Sequence, residues 1–435
     1  MFRKLFVMTL ALALALTLCV AGSAESEPVQ IEFWFGLGGN LGNIVLNAID
    51  EFNASQDEIF VVGVQQASYG DTDTAVRAAM AAGPDNVPAC FLTGSGWWSQ
   101  LDSGIFEVLD PYIEADESMD IDDYMDSAML TDRSSSGKTV GLPLYATTQV
   151  LYYDVAAFEN AGIDPEWAFT NWQNLAEAAA KLAVFDANGE PTYFGWEPMY
   201  GVENVKDIVF SAGGTIFADE EKRTVNFLSD EWIDVMTSLR KWLHEDKIMG
   251  IHFGGEGWEY WYKTIDDVME GRAAGYTGSA GDQGDLDFTK LAAHIQPGWK
   301  DHPTQPQTDG PSVYIPAMAP AEKKQAAYTF MKFLTGPQVQ AQISMKSGYV
   351  PVRRSTLEDP EFAAYTAEKP QAVVPMSQLE YCTAEFLDIT GGGIGEALTD
   401  MVDRVEIEGV DALEALTICQ QQAQEALDEY WAEQE

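Results

Sequence analysis

Basic residues are scarce in this chain: 24 Lys and Arg stand against 69 Asp and Glu, a formal charge of −45 over 435 residues. Nucleic-acid backbones are held by dense Lys and Arg, so nucleic acid is excluded as a partner. The acids are spread along the chain and read as a solvated surface that resists aggregation. Neither residues 116–126 (DESMDIDDYMD) nor Asp186-Ala187-Asn188-Gly189 closes with the glutamate of a calcium loop. The four histidines, His244, His252, His294 and His302, lack metal-ligand spacing, so neither metal nor cofactor is expected. Cysteine is limited to Cys19, Cys90, Cys382 and Cys419, too few and too widely spaced for a disulfide framework. Cys90, in the apolar stretch ACFL, reads as core; pairing of Cys382 with Cys419 is left open. Catalytic signatures are missing as well: there is no Gly-x-Ser-x-Gly, no P-loop and no His-Glu-x-x-His. The chain therefore reads as no enzyme. Only a secreted glycoside hydrolase, which needs two carboxylates across a cleft, stays as an outside alternative.

One long hydrophobic run is present, at the N-terminus. Arg3 and Lys4 precede an uncharged apolar stretch over residues 5 to about 20, followed by Gly22, Ser23 and Ala24. This is the layout of an export signal cleaved after Ala24, which puts the mature chain in an extracytoplasmic compartment, periplasm or cell surface. Cys19 offers a rival outcome, lipidation and anchoring to the membrane surface, against which stands the bulky Leu18 before it. No later segment has about 20 consecutive apolar residues, so nothing else is expected to span a bilayer.

Residues 30–57, QIEFWFGLGGNLGNIVLNAIDEFNASQD, run from an apolar strand through a glycine-rich turn into an amphipathic helix. Such a unit points backbone N–H groups from a helix start into a cleft, an arrangement for capturing a small polar solute. Strand and helix signals then alternate through the first half, which predicts α/β layering. Strands are expected over 31–35, 59–64 and 89–92. In the first helix Val45, Ile49 and Phe52 form the buried stripe. A second helix is expected over 71–82, stopped by Gly83-Pro84, and a third opens on the capping pattern Thr170-Asn171-Trp172-Gln173. Further helices are expected from 229, over 321–334 and over 410–431, the last with Leu413, Leu416, Leu427 and Tyr430 on its apolar stripe. The extended run 139–154 and the glycine-rich run 275–281 read as two crossings between lobes, because glycine permits hinge dihedrals.

Several stretches resemble a known family in the family's own order: IEFWFGLGGNLG with EFNASQ, ASYGDT, LPLYATTQVLYYD with NWQNLAEAAAKL, YTGSAGD and SGYVPVRRS. Together they are similar to the family 1 extracellular solute-binding proteins of ABC importers, and within that family to its glycerol-3-phosphate-binding group. The resemblance implies an α/β, two-lobed, hinged periplasmic-binding-protein fold of type II with ligand in the interlobe cleft. Lobe 1 is expected to comprise 29–143 with 282–336, and lobe 2 144–281 with 337–435. A monomer is expected, with a membrane permease and its ATPase as partners. Membrane contact is expected only through that permease or a lipid on Cys19.

Carried over by motif, Tyr69, Ser279, Gly310 and Tyr349 fall on solute-bonding positions, Ala146 or Thr147 replaces another hydroxyl contact, and Trp172 matches a cleft tryptophan. The chain departs from the family twice. Thr93 stands nearest to where a glutamate is usual, and AEFLDITGGGIGE has Asp388 but no arginine where the family supplies one for phosphate. A phosphate held only by neutral donors gains about 1 kcal/mol per bond against roughly 1.5–3 for a charge-assisted one. A neutral sugar or oligosaccharide is therefore the expected ligand, with glycerol 3-phosphate or a glycerophosphodiester as the alternative. Trp97 and Trp98, after a Gly-Ser-Gly turn at a strand end, are candidates for stacking on a pyranose. The run GGEGWEYWYK, with Trp258, Tyr260, Trp261 and Tyr262, reads either as core and surface or as a sugar platform. Asn40 at the first helix start and Asp309 beside Gly310 complete the candidates, the latter as an acceptor of sugar hydroxyls.

Overall fold

A computed structural model describes residues 27–94, 97, 100–255 and 259–434; the export signal, Cys19 and Trp98 lie outside them. The chain opens with β1 (Val29–Phe35), α1 (Gly39–Ser55), β2 (Ile59–Gln65), α2 (Tyr69–Ala82) and β3 (Cys90–Thr93). After short helices come β4 (Gly141–Pro143), β5 (Gln149–Asp154), α3 (Trp172–Leu182), α4 (Val202–Ser211), α5 (Asp230–Arg240) and α6 (Glu259–Met269). Then follow β6 (Gly275–Ser279), β7 (Leu291–His294), β8 (Gln307–Thr308), β9 (Ser312–Tyr314), α7 (Ala321–Leu334) and α8 (Pro337–Ser347). The last principal elements are β10 (Thr383–Ala384), α9 (Gly393–Val402) and α10 (Ala412–Gln434).

Alternation explains β1: Ile31, Phe33 and Phe35 are buried on one face while Glu32 points outward. The expected stripe of α1 is buried as well, Val45, Ile49 and Phe52 being joined by Ile44 and Ala48. Ser68 caps α2 by accepting the Asp71 N–H at 3.1 Å, and Gly83 ends it with φ 108°, a conformation that favours glycine. Asn171 caps α3 from the expected pattern, accepting the Asn174 N–H at 2.8 Å.

These elements build two lobes. In the first, the sheet order is β2-β1-β3-β9-β4, with β2 and β3 parallel to β1 and β9 antiparallel to both its neighbours. Phe33, Phe52, Leu92, Val313 and Phe330 fill its core. The second has the antiparallel sheet β6-β5-β7 and a helical core around Trp172, Trp232, Leu239, Met401 and Leu416. The chain crosses between them at Leu144 to Thr148, at Ser279 to Ala280, at β8 to β9, and at β10, which pairs in parallel with β8. Type II two-lobed architecture is thus observed, and the described residues include no helix long and apolar enough to cross a membrane.

The packing divides the chain differently from the expected lobe boundaries. β7 pairs with β5, and Trp299 lies in the second core, so the stretch after the 275–281 crossing returns to lobe 2. Conversely, Val339, Ile343, Val350, Val352, Met376 and Leu379 pack into the first core, so α8 and the chain from its end to about residue 380 belong to lobe 1. The reason is a partner distant in sequence: α8 lies on α1, where Asn40 Nδ2 donates to the Lys346 carbonyl at 3.0 Å. Leu413 is 52% exposed; the inward stripe of α10 is Ala412, Ala415, Leu416, Cys419, Ala423 and Leu427. Cys382 and Cys419 are free thiols, the first beside Thr148 at the waist and the second inside α10 in the second core.

Candidate functional site

A cavity of about 340 Å³ lies against the crossings. Its floor is Thr147 to Gln149 from the first crossing, Ser279 from the second, and Gln307 to Asp309 from the third. Its second-lobe wall is Tyr200, the first turns of α4 with Glu203, Asn204 and Asp207, Tyr260 and Trp261 of α6, and Glu385 just past β10.

The crossings are held in register by their backbones. Thr147 N donates to Asp309 O at 2.7 Å, and Thr308 Oγ1 donates to Thr147 O at 2.9 Å. Thr147 and Ser279 hydroxyls meet at 3.4 Å. α4 starts at Gly201, which has φ 117° and whose N–H donates to the buried Glu406 carboxyl at 3.2 Å. Asp207 then ties α4 to the third crossing: one of its oxygens accepts the Gln307 N–H at 2.8 Å, the other the Gln296 amide at 2.7 Å. Trp261 is aimed by its indole N–H, which donates to Asp282 at 2.9 Å, while Tyr200 and Tyr260 meet edge to face at 5.5 Å. The wall is therefore aromatic and preset.

Electrostatically the cavity is acidic. Glu203, Asp207, Asp309 and Glu385 line it, and its described lining includes no Lys or Arg. The nearby Lys206 is buried and pairs with Glu203 at 2.8 Å. Burial, and then the charge of Asp309, push Glu385 up to about 8, and burial also raises Asp309. Burial lifts Asp207 to about 6 against the pull of its amide donors. Such a site offers carbonyls, carboxyls, hydroxyls and aromatic faces, the groups that hold hydroxyl-rich solutes.

Of the candidates, Thr147, Ser279 and Asp309 line the cavity. Tyr69 and Tyr349 lie on its first-lobe side, near Asp309: Tyr69 and Tyr145 hydroxyls are 3.0 Å apart, and Tyr145 stacks on Tyr349 at 4.7 Å. Gly310 is pressed against the Tyr145 carbonyl, where a Cβ would stand 2.0 Å away. Four other candidates lie away from the cavity. Trp97 is 1% exposed among Phe91 and Phe106, its N–H donating to Asp73 at 2.7 Å and its face covered by Arg77. Thr93 is buried and donates to the same Asp73 oxygen. Trp172 is sealed in the second core, and Asn40 serves the α1–α8 contact. Trp98 and Trp258 lie outside the described residues. Sequence reasoning missed Tyr200, Glu203, Asp207 and Glu385. The run GGEGWEYWYK did carry a signal, since helical phasing turns Tyr260 and Trp261 to the cavity and leaves Tyr262 exposed. In AEFLDITGGGIGE the acid that lines the cavity is Glu385; Asp388 instead accepts the N–H of Gly395, in α9, at 2.8 Å.

With cleft and hinge in view, the class is clear. The sequence profile described as bacterial extracellular solute-binding protein matches residues 47–370, and the chain belongs to that family. It is the extracellular solute-binding component of an ABC importer. The chain is 26% identical over 368 residues to the sn-glycerol-3-phosphate-binding periplasmic protein UgpB of Yersinia pestis, with 80% of each chain covered. It is likewise 26% identical over 364 residues to the protein of that name from Escherichia coli, again covering 80% of each. In fold it is similar to the sugar-binding protein MalE of Xanthomonas citri, with TM-score 0.79, 19% identity, and 94% and 100% of the two chains covered. The Mycobacterium tuberculosis UgpB in complex with glycerophosphocholine gives TM-score 0.72 at 22% identity, covering 93% and 99%.

Proposed function

We propose that this protein captures a neutral sugar or short oligosaccharide between its lobes and delivers it unchanged to a membrane permease driven by a cytoplasmic ATPase. The observation that carries this reading is the cavity itself, four carboxyl side chains and three aromatic rings with Lys206 already neutralised by Glu203. One phosphate charge roughly 5 Å from one ionised carboxylate is repelled by about 3 kcal/mol at an effective dielectric of 20. A sugar hydroxyl, in contrast, donates to such a carboxylate with benefit, and an indole or phenol face packs on its C–H face. Thr147, Ser279 and Asp309 are the floor contacts in this reading, and Tyr260 and Trp261 the platform. Tyr69, Tyr349 and the backbone at Gly310 would close on the solute from the first lobe. The N-terminal run acts as the export signal, with a lipid on Cys19 as the means of retention if cleavage falls there, and the chain works as a monomer.

A second reading is favoured by the family relatives that bind glycerol 3-phosphate and by the acid-lined aromatic wall together. A glycerophosphodiester bearing a cationic head group would place that cation among Tyr200, Tyr260 and the carboxylates. A thermal-shift screen of sugars and sugar oligomers beside glycerol 3-phosphate and glycerophosphodiesters separates the readings, since a ligand of the folded state raises Tm. A sugar is expected to give the largest rise. A large rise with glycerol 3-phosphate and none with any sugar refutes the first reading.

A further inference from the structure

Away from the cavity, three segments of the second lobe converge on one point. Glu197 sits at the edge of β6, its N–H donating to Gly275 O at 2.9 Å and its carbonyl accepting the Thr277 N–H at 3.1 Å. Asp267 comes from the last turn of α6. His252 follows Gly250, whose N–H is bonded to Trp196 O at 3.1 Å. One ligand-type atom from each of Glu197, His252 and Asp267 lies within 4.8 Å of the other two.

We propose that Glu197, His252 and Asp267 bind one divalent transition-metal ion of the zinc class. The carboxylate of Glu197 is fully buried, yet no N–H or O–H group of the described residues donates to either of its oxygens. It faces Asp267, itself 8% exposed, so two acids meet out of water. The Asp267 oxygens are divided: Oδ1 accepts from Arg272 Nε at 2.6 Å, leaving Oδ2 towards His252 Nε2 at 2.9 Å. Two ligands of one tetrahedral zinc, each at roughly 2.0–2.2 Å from it, stand about 3.3 Å apart, so a small adjustment opens this pair around an ion. One imidazole and two carboxylates are a donor set for zinc, manganese or cobalt, with water at the open position. Arg272, anchored also on Glu270, holds Asp267 in orientation as an outer partner does. The His252 side chain, about one-third exposed, gives the ion its way in. Bound there, the ion ties the 250–255 loop and the β6 edge to α6, the helix that carries Tyr260 and Trp261.

The competing occupant is a proton shared between Glu197 and Asp267. Metal content of the full chain purified without chelator, zinc titration calorimetry and cobalt absorption distinguish them, each repeated on His252→Ala and Glu197→Gln. His252→Ala removes a part-exposed ring and leaves the fold, and it also controls for loose zinc binding by the acidic surface. The expected result is about one tightly held equivalent of zinc, an affinity lowered about 100-fold or more in His252→Ala and Glu197→Gln, and a cobalt d–d spectrum lost in both. Zinc binding no tighter in the native chain than in His252→Ala, with the spectrum of the free aquo ion, overturns the proposal. So does a metal-free native chain that Glu197→Gln renders more stable.

Discussion

Trp97→Ala separates the role that sequence context gives this residue from the role its packing gives it. A tryptophan buries about 150–250 Å² when enclosed, and at about 25 cal/mol per Å² this is worth roughly 4–6 kcal/mol of transfer free energy. Partial collapse of neighbours brings measured losses for large aromatics to about 3–5 kcal/mol. Here the loss extends to two edge-to-face contacts at 5.6 Å, with Phe91 and Phe106, and to the guanidinium of Arg77 over the ring. Asp73, deprived of the indole donor, keeps the Thr93 hydroxyl. The expected outcome is therefore a loss of about 3–5 kcal/mol in urea denaturation, with Trp97→Phe recovering more than half because it refills the space. Ligand affinity, measured by calorimetry where the variant is still folded, should stay within about twofold, because Trp97 does not line the cavity. A tenfold loss of affinity with an unchanged urea midpoint would refute this reasoning and restore Trp97 to the binding surface.

Trp261→Ala is expected to do the reverse, weakening sugar binding by about 1–3 kcal/mol while leaving the first lobe intact, as calorimetry will read. Gly310→Ala places a Cβ against the Tyr145 carbonyl and forces the third crossing to shift. It should lower Tm and slow or abolish ligand-induced closure, seen as loss of the ligand-dependent change in small-angle scattering. Burial raises Asp132 and Asp282 to about 7 and Glu385 and Glu406 to about 8. Each carboxyl has a folded pKa above its unfolded one, so its contribution is complete below about pH 4 and is lost as pH climbs through 7–8. Tm should consequently be several degrees higher at pH 5 than at pH 8; a flat or rising profile over that range contradicts the assignment.

The fold was largely legible because its helices carry their own boundaries. Asn171 and Gly83 mark an actual start and an actual stop, and the Val45, Ile49, Phe52 spacing fixes which face of α1 is inward. Lobe membership was harder, because β7 and α8 are assigned by partners far away in sequence: β5 for one and α1 for the other. The same limit governs the site. Thr147 and Ser279 were singled out through motifs, and Asp309 as the neighbour of another, on the crossings themselves, where local sequence and cavity floor coincide. Glu203, Asp207 and Glu385 reach the cavity by the way α4 and the fourth crossing pack, for which an acid-rich chain gives no distinguishing signal. Trp97 shows the limit from the other side: a tryptophan after a glycine turn has the position of a ligand platform, whereas in the fold Asp73 and Arg77 on α2 enclose it.

The central claim is most directly tested by a crystal structure of the protein with the sugar that stabilises it best. The account predicts the sugar in the interlobe cavity, stacked on Trp261 or Tyr260, its hydroxyls on Thr147, Ser279 and the Asp309–Glu385 pair, with Lys206 still bound to Glu203. A sugar seated outside that cavity, or a phosphate compound held there by Lys206 released from Glu203, would contradict it.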